Sequence, residues 1–85
     1  MHAGTRVRLV KHPTHTGLII NTLGPDNTYD TLESGEVVRY RDIDMRYGLE
    51  PTTRFIVKWD GGRGQHTTIR QEFLEEEPHN TPTGS

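Results

Sequence analysis

Apolar and polar residues alternate with a period of two in several short stretches. Over residues 5–10, Val7 and Leu9 point one way and Arg6 and Arg8 the other, which predicts a first strand with a basic outer face. Pro13 and Gly17 punctuate the next loop, and Leu18, Ile19 and Ile20 form an apolar run too brief for a helix, so a second strand is expected to end near Leu23. Gly24, Pro25, Asp26 and Asn27 are turn residues that reverse the chain. Residues 29–32 and 36–41 then flank Glu33, Ser34 and Gly35, the pattern of a hairpin. Its second arm is expected to carry Val38 and Tyr40 on one face and Val37, Arg39 and Arg41 on the other. Residues 42–53 follow no period, and Gly48 and Pro51 break any helix, leaving an irregular segment with room for one short helical turn. The clearest strand is residues 54–60, where Phe55, Val57 and Trp59 share the apolar face and Arg54, Ile56, Lys58 and Asp60 the other. Gly61, Gly62 and Gly64 supply a tight turn, and residues 65–69 return as its partner. Phe73 and Leu74 are apolar enough to dock as a helical turn or a last short strand, and residues 75–85 are expected to form an acidic, polar, disordered tail or linker.

Short strands, Gly and Pro turns and the lack of a convincing helix predict an all-β domain, a small and strongly bent antiparallel barrel over residues 1–74. Four stretches carry a family resemblance: Gly4-Thr-Arg-Val-Arg-Leu-Val10, Thr16-Gly-Leu-Ile-Ile20, Phe55-Ile-Val-Lys-Trp-Asp-Gly-Gly62 and Thr67-Thr-Ile-Arg-Gln-Glu-Phe-Leu74. Together they resemble an SH3-like barrel of the Tudor and KOW kind, modules appended to bacterial helicases and to proteins that engage RNA polymerase. The resemblance covers both ends of the chain and implies that residues 25–53, longer than the usual connection, are an inserted hairpin and irregular loop. It implies an adaptor working near nucleic acid.

Composition narrows the picture. The chain has 85 residues, 29% hydrophobic and 26% charged, which suits one small domain with a thin core. No apolar run approaches the roughly 18 residues of a membrane-spanning helix, so no membrane partner is expected. There is no Cys, which excludes thiolate chemistry and suits a cytoplasmic setting. Ten Lys and Arg face twelve Asp and Glu, and three of the twelve are the run Glu75, Glu76 and Glu77, so the rest of the domain is slightly basic.

Catalysis and metal binding find little support in the residues. His12 and His15 are separated by a Pro-containing loop and lack Cys or suitably spaced acids, so neither a metal nor a cofactor is expected. The serines sit in a turn and at the terminus, Asp42 and Asp44 are read as solvated loop acids, and the Gly61 to Gly64 turn lacks the helix and Lys of a phosphate loop. The chain is therefore read as a non-enzymatic binding or adaptor module, with a small enzyme subunit as the outlying alternative. The leading expectation is contact with nucleic acid, or with a protein complex that handles it, through an outward face of Arg6, Arg8, Arg39, Arg41, Arg54 and Lys58, with Tyr40 or Tyr47 for base stacking. The competing expectation is a protein-interaction or self-assembly module, possible as a homo-oligomer, using the hairpin edge at Glu36, Val37, Val38 and Tyr40.

Overall fold

The structure, a computed structural model, describes residues 1–30, 35–62 and 64–78. Among the described residues seven strands are arranged in two antiparallel sheets: β1 (Arg6–Leu9), β2 (Thr16–Leu23), β3 (Thr28–Asp30), β4 (Val37–Arg39), β5 (Arg54–Trp59), β6 (His66–Arg70) and β7 (Leu74–Glu76). The larger sheet runs β6-β5-β2-β1-β7, and β3 and β4 pair separately. Helix α1 (Tyr40–Arg46) follows β4, and a 3-10 turn (Gln71–Phe73) precedes β7. Among the described residues β6 and β7 are the two edges of the larger sheet, which is not closed into a barrel.

The predicted alternation builds the core. Val7, Ile19, Phe55, Val57 and Leu74 are buried on one face of the larger sheet, with Leu9, Trp59 and Ile69 packed around them. Gly17 is required where β2 crosses this face, because a Cβ there would lie 2.7 Å from Val57 Cγ1 and 2.8 Å from the Lys58 carbonyl oxygen. A β-bulge at Ile20 shifts the register, so Ile19 faces Val57 while Asn21 faces Ile56. The extra residue bends β2 and leaves Ile20 at the surface.

The chain between β2 and β5 departs from expectation. β3 and β4 form the predicted two-stranded arm, with Tyr29 opposite Val38; most of the connecting turn, residues 31–34, lies outside the described residues. Tyr40 and Arg41 belong to α1 and not to the second arm, and the helix takes up much of the segment expected to be irregular. Its ends explain why. Asp42 lies in the first turn and Arg46 in the last, each complementing the helix dipole. Gly48, at φ 72°, then closes a Schellman motif in which the Gly48 N–H donates to the Met45 carbonyl and the Leu49 N–H to the Asp44 carbonyl. Gly48 therefore terminates a helix that its presence had argued against.

The second correction concerns the acidic run. Glu75 and Glu76 lie in β7 and pair with β1, and the Glu77 N–H donates to the Arg6 carbonyl. Glu75 and Glu77 fit a strand because their carboxylates meet Arg8 and Arg6, at 3.1 and 3.0 Å. Opposite charges facing each other across neighbouring strands stabilise the pairing.

Candidate functional site

The outward Arg and Lys set divides into three groups. Arg6 reaches from β1 to Asp60, donating through Nη1 at 2.9 Å and through Nη2, and its Nε donates to Glu77. The Thr16 hydroxyl donates to the same Asp60 carboxylate at 2.6 Å. Hydrogen bonds from Arg6, then from Thr16, hold the Asp60 carboxyl well below the usual carboxylate range, and Asp60 and Glu77 raise the Arg6 guanidinium in turn. Arg8 pairs with Glu75, and Arg41 with Asp26 at 3.2 Å and more loosely with Asp42. Arg39 and Lys58 are exposed and form no ion pair among the described residues.

Arg54 is a correction. Its side chain is 12% exposed and points into a charged cluster below α1. Asp44, on the inner side of the helix, is 1% exposed and accepts from Arg54 Nη1 at 3.1 Å, from Arg54 Nη2 and from Arg70 Nη1 at 2.7 Å. Arg70 also donates to Glu72 at 2.6 Å and to the Glu50 carbonyl at 2.9 Å. The Arg54 guanidinium lies 4.8 Å above the Tyr40 ring, whose other ring neighbour is Tyr29 at 6.0 Å. The register explains the cluster: Arg54 and Arg70 are direct cross-strand partners, an arrangement that repels unless an acid lies between them. Burial pushes the Asp44 carboxyl up, but Arg54, Arg70 and a Thr52 backbone hydrogen bond outweigh it, so the net displacement is downward. Asp44 is thus a structural tie between helix and sheet, and no described buried side-chain polar atom is left without a partner.

Tyr40 is the first residue of α1 and its ring is held in this cluster, although its N–H still donates across the arm to the Asn27 carbonyl at 3.0 Å, whereas Tyr47, at 74% exposed, stands free of the core. On the two-stranded arm Val37 is 59% and Tyr29 48% exposed, while Val38 is half-buried. Glu36 precedes β4 and is exposed. Each arm strand pairs with one neighbour only, so among the described residues β3 and β4 both keep an open edge. The His15 ring lies 4.4 Å from that of Trp59, tilted at 39° to it, and no group of three or more described His, Asp or Glu residues is placed to hold a metal ion.

Sequence reasoning missed Arg70, the burial of Asp44, and a cleft of about 310 Å³ lined by Leu9, Val10, Ile69 and Phe73. The first had a readable signal. Once the Gly turn after Asp60 fixes the hairpin so that Lys58 faces His66, Arg54 must face Arg70. The cleft had none, because it forms where the end of β1 meets the 3-10 turn. Comparison of the chain with protein-family models, with curated proteins and with solved structures gives no match.

Proposed function

We propose that this chain is a non-enzymatic adaptor module built on a small SH3-like β-domain, and that it binds a protein partner through the β3–β4 arm. The domain reading is supported by the strand order, in which the last strand returns to pair with the first. The observation that carries the choice of partner is the state of the arginines: Arg6, Arg8, Arg41 and Arg54 all face carboxylates. A phosphate backbone would have to displace those acids, and the net charge of −2 adds no attraction. The arm instead offers two open strand edges with Val37 and Tyr29 exposed, features that suit addition of a strand from a partner.

The test is affinity capture with the full chain and with Val37→Asp, on extracts treated or not treated with nuclease. A protein retained by the parent chain, insensitive to nuclease and lost with Val37→Asp supports the proposal. Retention that nuclease abolishes supports the nucleic-acid reading, which would then centre on Arg39 and Lys58.

A further inference from the structure

The cleft beside the 3-10 turn is a separate surface from the arm. Leu9 and Ile69 form its floor and belong to the layer packed on the core. Val10 and Phe73, neighbours whose backbones are joined by the Val10 N–H donating to the Phe73 carbonyl at 3.0 Å, also line it and remain 47% and 45% exposed. The cleft opens where the larger sheet is unclosed, since Ile69 belongs to edge strand β6 and Leu9 to β1, beside edge strand β7. An apolar side chain entering here would extend the core. Its volume, about 310 Å³, lies at the small end of ligand pockets and takes one residue rather than a segment.

Two charged side chains line the cleft. Glu72 is already paired with Arg70 at 2.6 Å, whereas Lys11 is exposed and forms no ion pair among the described residues. The rim therefore carries one uncompensated positive charge beside an apolar floor. We infer that this cleft binds the C-terminal residue of a partner polypeptide, a large apolar side chain packing on Leu9, Ile69 and Phe73 and its α-carboxylate meeting Lys11. A terminal residue is the occupant that suits the site, because it presents an apolar group and a carboxylate on one residue, and the cleft has room for one. The inference does not rest on the arm, and its test uses no arm residue.

The experiment is a titration of the isotope-labelled full chain, followed by its amide NMR spectrum, with N-acetyl-phenylalanine, N-acetyl-phenylalaninamide and N-acetyl-Phe-Glu-amide. The free acid is expected to shift the Val10, Lys11, Ile69 and Phe73 amides saturably, with a Kd on the order of millimolar for so small a probe. Both the amide and the Lys11→Gln variant should weaken that binding about threefold, the scale of an exposed charge pair, while Lys11→Gln leaves the affinity for the amide unchanged. Phe73→Ala, with a spectrum that remains dispersed, should bind none of the probes. Absence of saturable shifts up to about 20 mM, shifts away from these residues, or equal affinity for acid and amide would overturn the inference. Binding of the Phe-Glu probe as tight as that of the free acid would overturn the C-terminal assignment in favour of an internal acidic segment.

Discussion

Asp44 shows how one side chain can join two parts of this fold. It sits on α1 at 1% exposure with two guanidinium groups against it, so removing its charge leaves the largely buried Arg54 without an acid and Arg70 with Glu72 alone. Asp44→Asn is expected to cost about 3–5 kcal/mol, measured by urea unfolding followed by circular dichroism. A domain this small holds roughly that much in total, so the variant should be largely unfolded. Replacing the whole cluster, as Asp44→Leu with Arg54→Met and Arg70→Leu, should recover a folded domain, because no unpaired charge remains buried. The pH dependence follows from the direction of the Asp44 displacement. Its folded carboxyl titrates below the roughly 3.9 of a free Asp, so its contribution to stability is complete above about pH 5 and is lost as pH falls through the folded value. In the triple variant the acid-side loss of stability should be shallower than in the parent chain. Gly17→Ala provides an apolar counterpart: its methyl group would press on Val57 and on the Lys58 carbonyl, an overpacking expected to cost roughly 1–3 kcal/mol in the same assay.

At the scale of elements, the arm and α1 occupy residues 24–53, yet β2 and β5 pair directly, with Leu23 opposite Arg54. A two-residue Asn-Gly turn can therefore replace residues 24–53 in principle. The Asp44 tie adds a condition. Without α1, Arg54 and Arg70 face each other with no acid between them, so the shortened chain should unfold at lower urea than the same chain also carrying Arg54→Thr and Arg70→Thr. Equal midpoints would show that α1 contributes nothing at that corner. The larger sheet was legible because its strands carry their own alternation: Val7 with Leu9, and Phe55 with Val57, turned inward as their spacing requires. The helix was legible only as room for one short turn, because Ile43 and Met45 do not define an apolar stripe and its inner face is filled by the charged Asp44, which hydropathy assigns to solvent. The start of β7 at Leu74 was expected, and its continuation through the acidic run escaped for the same reason, since Glu75 and the following Glu77 are held by Arg8 and Arg6 and not by burial of apolar groups. The candidate site was legible only in part. Val37 could be picked out as an exposed edge residue, whereas Arg54 pairs with an acid that only the tertiary fold brings near.

For the whole molecule, charge counted along the chain and charge available at the surface are different quantities. Most of the arginines that suggested phosphate contact are engaged by acids from other elements and turns, some far away in sequence. Single-stranded or duplex nucleic acid is accordingly expected to bind weakly at low salt and to lose that binding near physiological salt, as read by fluorescence anisotropy. Arg39→Ala with Lys58→Ala should weaken what remains. The arm keeps two open strand edges, and the binding proposed for it is measured most directly by photo-crosslinking from a benzophenone side chain at position 37, with position 58 as the comparison, in the cells that make the protein. The expected result is an adduct from position 37 that protease destroys and nuclease does not, with none from position 58. A nuclease-sensitive adduct, or no adduct from position 37 beyond that from position 58, would contradict it.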